Sequence, residues 1–190
     1  AAKMGLPVKR FVIATNENDE FPKYLKTGNY NKIVPSRNCL SSAMNVGHPS
    51  NLARLIALYG GVMDETGKIN KEPDIELMRG ELFPVSISDE ETKQTIKNAW
   101  EQHRLLLEPH GAVGWFGLQK FLEKESVSYG HLCISLETAH PAKFPEQIRE
   151  ILDFDPELPP SLAGIEDKTE EYDTISNDYE SFKSYLTEKY

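Results

Sequence analysis

The 190 residues predict an α/β fold, a mainly parallel sheet with flanking helices. Three observations carry that reading. Short runs of β-branched and aromatic residues, such as "VKRFVIATN" at 8–16, alternate with longer segments of helical periodicity. The helical segments carry their own caps and stops. Apolar segments also end in clusters of polar and titratable groups, as expected where parallel strands present their carboxyl ends to a ligand.

The elements follow in order. In "AAKMGLP", residues 1–4 read as the last turn of a helix, Gly5 as its C′ residue and Pro7 as the stop, so the chain opens in mid-helix. "VKRFVIATN" is the first strand. "PSNLARLIALYGG" (49–61) is a helix: Leu52, Leu55, Ile56 and Tyr59 share a face, Ser50 or Asn51 can cap it, and Gly60 and Gly61 end it. "MDETGKINKEPD" (63–74) reads as a polar loop and "PVSIS" (84–88) as a short strand. In "SDEETKQTIKNAWEQHR" (88–104), Ser88 with Glu91 three residues on is a capping box, and acidic residues early with basic ones late suit the helix dipole. "RLLLEP" (104–109) is a short apolar segment. "GAVGWFGLQKFLEKE" (111–125) is a helix that can turn Val113, Phe116, Leu118, Phe121 and Leu122 to a core. "HLCISLE" (131–137) is expected to be the next strand, "AKFPEQIREILDF" (142–154) the next helix and "NDYESFKSYLTEK" (177–189) the last.

Composition narrows the function classes. Apolar content of 39% with 27% charged residues is that of a soluble globular protein. No apolar run approaches the roughly 20 residues that cross a bilayer. The N-terminal residues lack the long apolar region of a secretory signal. Cys39 and Cys133 are too few for a disulfide framework. Cys133, inside an apolar run, is expected to be a buried thiol, and the pair together suggest a reducing, cytoplasmic setting. The net charge of −9 is concentrated in 153–190, which reads as an acidic, partly helical C-terminal extension. No basic stripe is present to meet a phosphate backbone, so nucleic acid is not an expected partner.

Three apolar segments end in reactive polar groups. The first ends in Thr15, Asn16, Glu17, Asn18 and Asp19. The second ends in Glu108, Pro109 and His110, and the third in Glu137, Thr138 and His140. Parallel neighbours would bring all three to one edge; equally, strand ends are where any chain becomes polar. The sequence has no phosphate-cradling glycine motif and no nucleophile elbow. His48, His103, His110, His131 and His140 have no metal-ligand spacing, so no metal is expected. Ser41 and Ser42 have no recognisable base beside them. His103, at the end of a helix, reads as a dipole-compensating surface residue.

"GLPVKRFVIATNEND", "LSSAMNVGHPSNLARL", "SDEETKQTI", "LEPHGAVGW" and "ETAHPAKFPE", in that order, resemble the threonine synthase family. The resemblance runs from residue 5 to about 152, with "TAHPAKF" its most specific piece. It implies a pyridoxal 5′-phosphate (PLP) enzyme of the tryptophan-synthase-like fold (fold type II), which converts O-phospho-L-homoserine and water to L-threonine and phosphate. Residues 1–152 would then be the C-terminal part of the PLP-binding domain.

By the same resemblance, Thr138 matches the hydroxyl that bonds the pyridine nitrogen. Glu108 matches a Glu-Pro turn lining the cofactor ring, and His110 and His140 flank those positions. Asn16 and Asp19 match a substrate-side motif at the first strand's end. Ser50, Asn51 and Arg54 match another, although capping and surface charge account for these three equally well. Asn45 stands where the family usually has Asp. The family's Schiff-base lysine and its cofactor-phosphate loop are expected upstream, in a missing N-terminal half; Lys143 is not that lysine. The chain by itself is therefore expected to be inactive. The alternatives are another PLP-dependent lyase or β-replacement enzyme of the same fold, or a non-catalytic α/β interaction module.

Overall fold

The computed structural model describes residues 2–125, 132–165 and 167–190. These residues form two compact units, 1–156 and 157–190.

The larger unit is α/β with a parallel strand pair and flanking helices. β1 (Phe11–Thr15) pairs in parallel with β4 (Leu82–Ser86), from Phe11 opposite Leu82 to Thr15 opposite Ser86. Between them come α1 (Glu20–Thr27), α2 (Asn51–Leu58), the antiparallel hairpin β2 (Val62–Met63) with β3 (Ile69–Lys71), and α3 (Ile75–Glu81). After β4 come α4 (Asp89–His103), α5 (Pro109–Glu125) and α6 (Pro145–Leu152). Among the described residues no helix is long and apolar enough to cross a membrane.

The pleat of the strand pair divides the core. Ile13 and Leu82 point to one face, where they join Phe21, Tyr24 and Leu25 of α1, Leu52 and Ile56 of α2, Met63 and Met78. Val12, Ala14 and Val85 point to the other, onto α5 at Gly117. Alternate residues of a strand face opposite sides, so one short strand serves two layers. Behind α5 a second cluster joins Ile96 and Ala99 of α4, Leu107, Ala112 and Ile148 of α6.

The expected helices at 88–104 and 111–125 are present as α4 and α5, and the capping box is complete. The Ser88 hydroxyl accepts the Glu91 N–H at 3.2 Å, and Glu91 Oε2 accepts the Ser88 N–H at 2.9 Å. Glu91 also pairs with Lys120 of α5 at 2.7 Å, which ties the two helices together.

Three expectations need correction. The polar loop at 63–74 contains the β2–β3 hairpin. Asp64 organises its turn by accepting the Thr66 and Lys68 N–H groups and the Thr66 hydroxyl on one oxygen and the Asn70 amide on the other. The strand expected over 131–137 is not formed among its described residues: 132–137 run without regular secondary structure, with Leu132, Ile134 and Leu136 exposed, and residue 131 lies outside the described residues. An alternating apolar run needs a neighbouring strand before it can pair. Cys133, in the same run, is exposed rather than buried.

The smaller unit holds α7 (Tyr179–Lys189). Its N-cap is Asp178, which accepts the Ser181 N–H at 2.9 Å, and Asp173 receives both Lys189 and the Tyr185 hydroxyl.

Candidate functional site

The carboxyl end of β1 opens into "TNENDE", and its amides build a scaffold for the loop at 37–45. Asn16, 1% exposed, donates through Nδ2 to Asn45 Oδ1 at 2.9 Å, to the Ser41 hydroxyl at 3.2 Å and to the Ser41 carbonyl at 3.3 Å. Its Oδ1 accepts the Asn18 N–H at 2.9 Å. Asn18 Oδ1 in turn accepts the Arg37 N–H at 2.7 Å. Asn45 Oδ1 also accepts the Cys39 N–H at 3.1 Å, while its Nδ2 donates to Asn38 Oδ1 and the Cys39 carbonyl. The amide therefore uses both ends, and an Asp at 45 could supply only the accepting half. From the other side, Asp89 at the start of α4 accepts the Leu40 N–H at 2.9 Å.

The first turn of α5 completes the cluster. Glu108 is fully buried and acts as the N-cap. Oε2 accepts the His110 N–H at 2.9 Å and Oε1 the Gly111 N–H at 2.7 Å, while its carbonyl takes the first helical bond, from Ala112. Pro109 fits the first helical position because no N–H is wanted there. His110 Nε2 accepts the Ala43 N–H at 2.9 Å. The ring proton must then sit on Nδ1, which donates to Glu108 Oε2 at 2.5 Å. The Phe144 ring lies 5.2 Å from the imidazole, centroid to centroid.

The segment at 135–137 passes across the same helix. A Cβ on Gly114 would lie 3.3 Å from the Ser135 hydroxyl oxygen, and a Cβ on Gly111 would overlap the Glu137 carboxyl group. The Glu137 carboxyl is hydrogen-bonded to Glu108 and pushed up to about 8, first by burial and then by that neighbour. Glu108 Oε1 and Oε2 already accept three N–H groups, and the raised Glu137 carboxyl is the one that keeps the shared proton. Thr138, the next residue, is exposed. His140 is exposed, and its Nδ1 accepts the Ala142 N–H at 3.1 Å, capping a single 3-10 turn, Pro141–Lys143.

Asn16, Glu108 and His110 thus meet through loop 37–45, and Thr138 follows directly on Glu137. Asp19 stands at the start of α1, paired with Lys23 at 2.8 Å. Ser50, Asn51 and Arg54 are exposed on α2, which packs against the hairpin; Ser50 stands at the N-cap position, but its side chain makes no capping bond. Sequence reasoning set Ser41 aside and named Asn18 among the polar groups ending the first strand without giving it a role. The signal for both was the density of short polar side chains in "TNEND" and "RNCLSSAMN".

Comparison with known proteins settles the lineage. Residues 111–186 match the family model described as "Threonine synthase, C-terminal". A threonine synthase of Haemophilus influenzae is 36% identical over 186 residues, which is 98% of this chain. The chain belongs to the threonine synthase family.

It spans 39% of the length of that Haemophilus relative. The structure of the PLP-bound threonine synthase from Brucella melitensis superposes with a TM-score of 0.81 at 26% identity, covering 99% of this chain and 42% of that one. The threonine synthase of Escherichia coli gives 0.74 at 30% identity, covering 100% of this chain and 40% of that one. Parts of the motifs that resemble threonine synthases build the cluster (the end of β1, loop 37–45, the start of α5 and the segment around Thr138), while Ser50, Asn51 and Arg54 of the same motifs stand on α2 outside it.

Proposed function

We propose that this chain forms one side of the PLP site of a cytoplasmic threonine synthase, which converts O-phospho-L-homoserine and water to L-threonine and phosphate. The supporting observation is the convergence of "ATNEND", loop 37–45, "EPHG" and the Thr138 segment at the carboxyl edge of β1 in a chain of this family. Such an edge is where open α/β sheets take their ligands.

The residues present fit the cofactor. PLP offers a ring nitrogen to be held, and the exposed hydroxyl of Thr138 is a neutral partner for it. When bound, PLP supplies the electron sink that lets phosphate leave the substrate and water add. A hydroxyl, unlike a carboxylate, does not hold the ring nitrogen protonated, and so moderates that sink. Glu108 and His110 sit behind this contact: their polar atoms are engaged with the start of α5 and with loop 37–45. His140 lines the same stretch, with its Nδ1 already engaged. On the substrate side, Asn16 fixes the loop and Asp19 stands at the adjacent helix start. Ser50, Asn51 and the exposed guanidinium of Arg54 offer donors suited to an anionic group. The Schiff-base lysine and the phosphate loop of the cofactor lie outside these residues, so the chain alone turns over no substrate.

The test is release of phosphate and L-threonine from O-phospho-L-homoserine by the full-length protein and by this chain, each with PLP. Turnover by the full-length protein only, reduced by Thr138→Val, is the expected result. Turnover by this chain alone, or preferential β-replacement on another amino acid, overturns the reading.

A further inference from the structure

Glu108 is a residue on which separate parts of the candidate site depend. Its carboxylate receives the two N–H groups of the first turn of α5, the Nδ1–H of His110 and the carboxyl group of Glu137. His110 passes the constraint on, because its Nε2 receives the Ala43 N–H in loop 37–45. Glu137 passes it on in the other direction, because Thr138 is the next residue. Gly111 leaves the space: any side chain there would displace the Glu137 carboxyl.

We propose that Glu108 is a positioning residue for two walls of the site, holding loop 37–45 through His110 and the Thr138 segment through a proton that Glu137 donates. The proposal rests on the reading of Thr138 as the partner of the ring nitrogen. A buried carboxylate with three N–H donors is a strong acceptor, and a protonated carboxyl group opposite it makes a charge-assisted bond. The arrangement requires a hydrogen donor at 137, not a negative charge.

The test uses the PLP-loaded full-length protein, with amide hydrogen exchange as one readout and the cofactor absorbance band as the other. Glu137→Ala removes the donor and should speed exchange of 132–140 by more than about tenfold. Glu137→Gln keeps a donor without the titratable proton and should restore wild-type exchange. His110→Ala should loosen 37–45 and leave 132–140 protected. Glu108→Gln, which has one accepting oxygen in place of two, should loosen both. Residue 137 is exposed apart from its carboxyl group, which turns in against Gly111, so its variants remain informative if Glu108→Gln fails to fold. Exchange of 132–140 that is unchanged in Glu137→Ala, or no better in Glu137→Gln, overturns the proposal. The absorbance band should shift in Glu137→Ala and in Thr138→Val. If exchange follows the pattern while Thr138→Val leaves the band unmoved, the clasp stands and the assignment of Thr138 falls.

Discussion

A Cβ placed on Gly117 would stand 2.6 Å from the Cβ of Ala14, closer than any real pair of such atoms, so α5 rests directly on the backbone layer of β1. Val85 and Val12 lie at 3.3 and 3.5 Å from the same point. Replacing Gly117 by Ala or Val must push the helix off the sheet. Overpacking of this kind costs about 1–3 kcal/mol, more for Val than for Ala. Urea unfolding should show a lower midpoint with an unchanged slope.

Asn16→Asp should be more damaging than its size suggests. The substitution keeps the oxygen that Asn18 uses, but removes the Nδ2 hydrogens donated to Ser41 and Asn45. It also sets a carboxylate oxygen against their acceptor atoms at a site 1% exposed. The loss should reach about 1–3 kcal/mol, with faster amide exchange at Arg37 and Cys39 as the specific readout. Equal protection of those amides in the variant would refute the scaffold role.

Ser88→Ala removes the hydroxyl from the capping box of α4, at an expected cost of about 1 kcal/mol in thermal unfolding. Glu91→Ala should cost more than Ser88→Ala, because Glu91 also holds Lys120 across to α5. Ser88→Asp should recover most of the loss.

Two carboxyl groups are displaced in opposite directions and should give opposite dependences of stability on pH. Asp64 is drawn from its ordinary 3.8 down to about 2, first by the Thr66 hydroxyl and then by Asn70 and the turn N–H groups. Its support of the β2–β3 turn is complete above about 4 and is lost as pH falls through 2. Glu137 is displaced from 4.5 up to about 8, so its protonated form is the one the fold favours. The stabilisation it gives is full below 4.5 and is lost as pH rises through 8. Carboxyl carbon chemical shifts followed by NMR should place the two transitions on opposite sides of neutrality. A Glu137 transition near 4.5 would show that the shared proton is absent.

The helices that were legible carry their own local signals, such as the Ser88–Glu91 box of α4 and the glycines after α2, whereas α1 and α3, eight and seven residues long, were not read. β1 and β4 announced themselves through β-branched runs. The hairpin at 62–71 did not, since its strands are two and three residues long and its order comes from one aspartate. The run at 132–136 misled for the converse reason. Its alternation is that of a strand, but pairing is a property of two segments, and sequence pattern reports only one. At the site, the types of residue were visible and their partners were not. Nothing near His110 in sequence indicates Ala43, 67 positions away, as the group that fixes its tautomer.

The parallel register of β1 and β4 has a kinetic consequence. Phe11 meets Leu82 only after α1, α2, the hairpin and α3 have all been laid between them. Closing so long a loop carries its entropic cost before any ladder bond is gained, which delays this pairing relative to the local helices. On a ribosome adding roughly 5–20 residues per second, β1 waits several seconds for its mate. Through that interval Val12 and Ile13 are exposed to other nascent chains. Co-translational association would begin at this strand.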